Sequence, residues 1–229
     1  MGSMGAQKTG KRRIAFFGGS FDPPHLGHLA AARAAREALN LDHVLFAPVG
    51  SQPLKPNGAT ASFADRLEMT RLAIAGDPGF EVSLLDAPHA DGEPNYTLKT
   101  LEALRDQIPG AELFLLMGAD SFALLKNWHG AAEIPFLASL VVASRPGQEM
   151  DNLASFLPEG MTLAPAADCT DLCSYTLRNA EGRTAGFYLL PGLDVPISAS
   201  QIRAQTQAGA PSPLPECVAE YIHSHNLYQ

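Results

Sequence analysis

The sequence predicts an α/β fold built on a doubly wound parallel sheet, and three observations carry that prediction. Short apolar runs alternate with helix-patterned stretches through the first two-thirds of the chain, as repeated strand–helix–strand units do. The first run, Ile14-Ala15-Phe16-Phe17, leads straight into Gly18-Gly19 and then an alanine-rich helical stretch; sheets of this kind bind ligands at such turns. The 229 residues, 46% hydrophobic and 17% charged, are enough for one domain with a buried core.

The elements follow in order. Residues 14–17 read as the first strand and 25–39 as the first helix, with Ala31, Ala34, Ala35 and Ala38 along a small-residue face. Residues 44–47 read as a strand. Residues 63–75 read as a helix, which Ser62-x-x-Asp65 opens in the manner of a capping box. Residues 80–85 form a third strand, 98–107 a helix ended by Pro109-Gly110, and 113–117 and 140–143 two buried strands. The alternation breaks at 164–190. There Tyr175-Thr176-Leu177 and Phe187-Tyr188-Leu189-Leu190 flank Asn179-Ala180-Glu181-Gly182, a β-hairpin pattern. It is expected to be an added excursion, a hairpin insertion rather than a second domain. A small C-terminal helical part, 215–225, sets Val218, Tyr221 and Ile222 on one side. The expected domain is residues 12–229, with 1–11 disordered or partly tag-derived.

Composition excludes several function classes. A formal net charge of −8 disfavours nucleic acid or an anionic membrane surface as partner. No apolar run reaches the roughly 18 residues of a membrane span, and residues 1–11 show no apolar core of a secretory signal. Cys169, Cys173 and Cys217 are too few and oddly numbered for a disulfide framework. A reducing cytoplasmic setting is therefore expected. The hairpin near 175–190 is a candidate contact surface for a homo-oligomer.

The run Gly18-Gly19-Ser20-Phe21-Asp22-Pro23-Pro24-His25-Leu26-Gly27-His28 carries the chemistry. Two glycines permit a tight turn and close approach of a ligand. His25 and His28, three apart at a helix start, share one face. The helix N-terminus adds N–H groups and partial positive charge that suit phosphate. Capping and packing would be their purely structural roles. The run is neither the dinucleotide fingerprint nor a lysine-bearing phosphate loop. Asp22 ties down its own loop or reaches Mg²⁺ through water.

Three further clusters stand out. In Ile197-Ser198-Ala199-Ser200-Gln201-Ile202-Arg203, hydroxyls and an arginine at a helix start make a phosphate site, while Ser198-x-x-Gln201 also fits a capping box. Gly118-Ala119-Asp120 ends a buried strand, where a carboxylate accepts ribose hydroxyls or caps a helix. Trp128, the only tryptophan, is core or a stacking surface. Lys55, in a proline-rich loop, is a solvated lysine or a phosphate ligand. Arg145 contacts a nucleotide or shapes its turn.

The opening run resembles the (H/T)xGH signature of the nucleotidylyltransferase superfamily, and its GGSFDPxHxGH form is similar to the nicotinate- or nicotinamide-nucleotide adenylyltransferase branch. The other clusters, with Tyr96-Thr97-Leu98-Lys99-Thr100-Leu101 and Arg145-Pro146-Gly147, resemble that family's ISSTxIR, GADxxxxxxxW, YTxxTL and RPG motifs. The chain departs at Ala199, which has no hydroxyl, and has Ser200 for threonine. The resemblance implies a Rossmann-like nucleotidylyltransferase fold, with 164–190 outside it. It implies His25, His28 and Arg203 as catalytic. It places Gly18, Gly19, Ser20, Phe21, Lys55, Gly118, Asp120, Ser198, Ser200 and Ile202 around ATP, and Tyr96, Thr97, Trp128 and Arg145 around the pyridine nucleotide. The implied reaction is ATP plus nicotinate mononucleotide giving deamido-NAD and pyrophosphate. Mg²⁺ is expected mainly on the ATP phosphates, with no protein ligands assigned.

Alternatives are a nicotinamide-mononucleotide preference, a pantetheine-phosphate or cytidylyl transferase of the same superfamily, and a nucleotide-binding regulatory module. The segments around Thr97 and Trp128 argue against the second. The intact histidines and Arg203 argue against the third.

Overall fold

The strands lie in one eight-stranded sheet of order β3-β2-β1-β4-β5-β8-β7-β6. The computed structural model describes residues 10–54, 58–144, 153–166, 172–191, 198–208, 210 and 212–229. In chain order the elements are β1 (Arg13–Gly19), α1 (Leu26–Ala38), β2 (His43–Pro48), α2 (Phe63–Ile74), β3 (Phe80–Val82), α3 (Thr97–Gln107), β4 (Glu112–Gly118) and α4 (Ala119–Phe122). There follow α5 (Ile134–Leu137), β5 (Ser139–Ala143), β6 (Thr162–Pro165), β7 (Cys173–Arg178), β8 (Thr184–Leu190), α6 (Ala199–Gln207) and α7 (Glu216–Ser224).

The near-continuous apolar strands have a simple cause. Side chains alternate between faces, and both faces of a parallel sheet are covered. Phe16, Leu45, Leu115, Met117 and Val142 join one core with Leu101 and Leu104 of α3. Ala15, Phe17, Phe46, Phe114, Leu116 and Val141 join the other with α1. The buried side of α1 is Leu29, Ala31, Ala32 and Ala35. Ala38, expected there, is exposed and Ala32 takes its place, because the inward stripe runs through 32 and 35 and Ala38 falls past it. A third cluster, Ala61, Met69, Val218, Ile222 and Tyr228, docks α7 on α2.

The order reverses between β1 and β4: β1 also pairs with β2 and β4 with β5, all in parallel. Their chain connections leave in opposite directions and open a crevice beyond the carboxyl ends. That switch point positions the site.

The region 164–190 corrects the expectation of an excursion. The hairpin forms, but β8 pairs in parallel with β5 from Leu140↔Phe187 to Ala143↔Leu190. It extends the main sheet and buries Phe187. The added antiparallel strands are β7 and β6, so β6, not the hairpin, is the edge strand on that side. The turn is the expected one, with Gly182 at φ +83° and its N–H bonded to the Asn179 carbonyl. Cys173 is disulfide-bonded, which corrects the reading of three reduced thiols; Cys169 lies outside the described residues. Among the described residues no helix is long and apolar enough to cross a membrane.

Candidate active site

A cavity of about 910 Å³ opens at the switch point, with the residues after β1 and β4 on its wall. Three helix starts also reach it, those of α1, α3 and α6. Each helix start concentrates about half a positive charge and unpaired N–H groups. That is how a chain of net charge −8 offers anions a favourable site.

At α1, His25 is the N-cap residue and His28 the third helical residue. The His25 N–H donates to His28 Nδ1 at 3.2 Å. An atom that accepts there carries no proton, so the neutral His28 ring holds its proton on Nε2. The two imidazoles stack with centroids 3.7 Å apart. Phe21 meets the His28 ring edge-on at 4.9 Å and also packs on Phe17 and Phe46. Of the first N–H groups of α1, Leu26 donates to the Pro213 carbonyl and His28 to the His25 carbonyl. Gly27 also lines the cavity.

The two glycines act differently from the expectation. Gly18 and Gly19 are the last residues of β1. The left-handed residue is Phe21, at φ +46°. A Cβ at Gly19 would sit 3.3 Å from the Phe21 ring, and one at Gly18 only 3.0 Å from the Phe16 ring. They are small because aromatic rings fold back over them.

Asp22 fastens this turn to the rest of the chain. It is 4% exposed. One carboxylate oxygen accepts the Ala61 N–H at 3.1 Å and the Tyr228 hydroxyl at 2.7 Å. The other accepts the Thr60 N–H at 2.6 Å and lies 3.6 Å from Arg203. A carboxylate offers about four acceptor positions; three take hydrogen bonds here, and the Arg203 guanidinium stands beside the remaining one. Burial and the bond to Asp22 push the Tyr228 hydroxyl pKa up, so it stays a donor. Buried Arg66, unforeseen from the sequence, donates to the Ser20 and Ala61 carbonyls; burial lowers its pKa, and the Asp22 charge opposes that.

At α6, Ser198 and Gln201 form a reciprocal capping box. The Ser198 hydroxyl is thus engaged, and the Ala199 and Ser200 N–H groups precede the first intrahelical donor. Arg203 donates to the Asp22 carbonyl at 2.7 Å and to the Ser200 hydroxyl at 3.3 Å. These bonds hold its guanidinium beside the cavity.

At α3, Tyr96 is the N-cap residue and Thr97 the first helical residue. Tyr96 packs against His129, centroids 4.7 Å apart. Trp128 is half-buried against the core and also lines the cavity. Buried Asn95 accepts the Ser51 N–H and donates to the Ala87 carbonyl, closing this wall. Asn95 and His129 were not singled out from the sequence, though both adjoin residues that were.

The cavity thus gathers Gly18, Gly19, Ser20, His25, His28, Tyr96, Thr97, Gly118, Asp120, Trp128, Ser198, Ser200 and Arg203. Two expected ATP contacts lie elsewhere. Phe21, 1% exposed, backs His28 rather than facing the cavity. Ile202, fully buried, spends its N–H on the Ser198 carbonyl. Lys55 and Arg145 lie outside the described residues.

Fold and site define an α/β enzyme of the nucleotidyl-transferring class. The Cytidylyltransferase-like family model matches residues 16–205. A probable nicotinate-nucleotide adenylyltransferase of Gloeobacter violaceus is 38% identical over 94% of this chain and 96% of its own. One of Herpetosiphon aurantiacus is 35% identical over 95% and 98%. The chain therefore belongs to the cytidylyltransferase-like family, in its nicotinate-nucleotide adenylyltransferase branch. The fold is shared with Plasmodium falciparum nicotinic acid mononucleotide adenylyltransferase complexed with NaAD, at TM-score 0.68 and 15% identity over 95% of this chain and 97% of that one.

Proposed function

We propose that this cavity transfers the adenylyl group of ATP to nicotinate mononucleotide, giving deamido-NAD and pyrophosphate. One observation carries the reading: a cavity at the switch point with phosphate donors at α1 and α6 and, apart from them, an aromatic wall beside the start of α3. Two nucleotides meeting through their phosphates need that layout.

In the proposed step, a phosphate oxygen of the mononucleotide attacks the α-phosphorus of ATP in line. The bond to the β-phosphate oxygen breaks, and pyrophosphate leaves with its electron pair. The Nε2–H of His28, the Gly27 N–H and the Arg203 guanidinium stabilise the charge gathering on it. His25 orients His28 through the 3.2 Å bond from its N–H. The Ala199 and Ser200 N–H groups add donors at the second helix start. Asp120, in the first turn of α4, accepts from the ribose of ATP. The N–H groups opening α3 take the pyridine carboxylate, and Trp128 and Tyr96 flank the ring.

Among the described residues no group of three or more metal-ligating side chains forms, and Asp22 holds the Thr60 and Ala61 N–H groups and the Tyr228 hydroxyl. Mg²⁺ belongs with the ATP phosphates, and no step here runs through it. Small-molecule substrates, a cytoplasmic setting and one working unit over residues 12–229 complete the reading.

The test is purified protein with ATP, Mg²⁺ and either nicotinate or nicotinamide mononucleotide, following pyrophosphate. Release with nicotinate mononucleotide is expected; no release with either overturns the reading.

A further inference from the structure

Asp86 is a carboxylate in the cavity wall that the transfer above does not use. It lies in the loop between β3 and α3 and is 5% exposed. Its Oδ1 accepts the Thr100 hydroxyl at 2.5 Å, and its carbonyl accepts the Gly50 N–H at 2.7 Å. These bonds fix where the carboxylate points. A Cβ built at Gly18 would lie 3.4 Å from Oδ2, so that oxygen rests against the end of β1. Among the described residues no hydrogen bond engages Oδ2. Burial raises the carboxyl pKa, while the Thr100 bond and the charge of His89 oppose that. A buried acceptor with room beside it calls for a donor from a ligand.

The chemistry of that ligand is restricted. Phosphate and a pyridine carboxylate are anionic and are repelled. The pyridine ring of nicotinate mononucleotide has no N–H or O–H to give. Asp86 is tied on one side to the end of β1, where phosphates gather, and on the other to Thr100 in α3, where the ring sits. Between phosphate and ring in a mononucleotide lies the ribose. We propose that Asp86 Oδ2 accepts a hydrogen bond from a ribose hydroxyl of the pyridine mononucleotide and so sets preference for ribonucleotides at that subsite. The proposal rests on the transfer reading above.

The experiment compares nicotinate mononucleotide with its 2′-deoxy and 3′-deoxy analogues in the wild type, Asp86→Asn and Asp86→Ala, each checked for folding by circular dichroism. In the wild type, one analogue is expected to lose about 10- to 100-fold in kcat/KM, as befits a lost bond to a charged acceptor. In Asp86→Ala the ribonucleotide loses that much and the analogue nothing further, while the KM for ATP holds. Asp86→Asn, which keeps an acceptor for Thr100, shows the same pattern in weaker form. If neither analogue loses rate in the wild type, the proposal is overturned even where a variant fails to fold. It is also overturned if ATP and mononucleotide suffer equally, or if the variants alter only the choice between nicotinate and nicotinamide. A wild type inactive on both pyridine nucleotides would overturn the transfer reading itself; turnover with an indifferent Asp86 overturns only this proposal.

Discussion

The two ends of the cavity are built on opposite principles. At the phosphate end the buried carboxylate and the arginine beside it are tied down before a substrate arrives. Asp22 binds two backbone N–H groups and the Tyr228 hydroxyl and lies beside Arg203, and Arg203 is held in turn by the Asp22 carbonyl and Ser200. At the pyridine end the wall is aromatic, and the bonds of Asn95 and Thr100 hold backbone and carboxylate while leaving Asp86 Oδ2 unengaged among the described residues. In the proposed transfer, the first end presents a fixed set of donors to charge that grows during reaction. The second presents a shape and a few acceptors, which suit selection of a ground-state ligand.

That contrast can be broken from either side. The largest effect belongs to Asp22→Ala. It strands the Thr60 and Ala61 N–H groups and the Tyr228 hydroxyl, and removes the charge beside Arg66 and Arg203. A loss of about 3–5 kcal/mol is expected, measured by urea unfolding, with activity falling alongside. Next is His28→Ala: kcat should drop by roughly 10²- to 10³-fold with the circular dichroism spectrum intact. Wild-type turnover would remove His28 from the transfer step.

At the pyridine end a different signature is expected. Trp128→Ala should raise the KM for the mononucleotide by roughly 3- to 10-fold, the range for lost ring stacking, with the KM for ATP unchanged. Equal effects on both substrates would mean the two ends are not separate.

The smallest effect sharpens the comparison through pH. The Asp86 carboxyl pKa is raised by burial above its ordinary 3.8. Below pH 3.8 the carboxyl is neutral folded or unfolded and costs the fold nothing. Between 3.8 and the raised folded value, the unfolded chain releases its proton first, so stability falls as pH rises. Asp86→Asn lacks this penalty. Its melting temperature should match the wild type in acid and rise above it toward neutral pH, by a few degrees at most, read by thermal unfolding across that range. A constant difference at all pH values would show that Asp86 bears no buried charge.

Much of the architecture was legible in the sequence because its signals are local. Alternating apolar runs gave the parallel core, Ser62 and Ser198 announced their caps, and Asn179 to Gly182 announced the hairpin turn. The errors came where local pattern and distant packing part. β8 reads as half of a hairpin, yet its other edge pairs with β5, some 45 residues earlier in the chain. Phe21 and Ile202 stand inside motifs whose neighbours line the cavity, but their own side chains turn into the core. Asp86, Asn95 and Arg66 carry no motif at all; their importance comes from burial, which a linear pattern does not display.

The sequence by itself determined the parallel α/β class, the helix starts that attract phosphate, and the histidines and arginine placed on them, since propensity, capping and charge act over a few residues. Tertiary structure alone decided that Asp22 would fasten the turn, because its partners at 60, 61, 203 and 228 are brought together only by folding. It also decided that Asp86 would face the cavity, because only folding sets the loop after β3 against both the end of β1 and the side of α3.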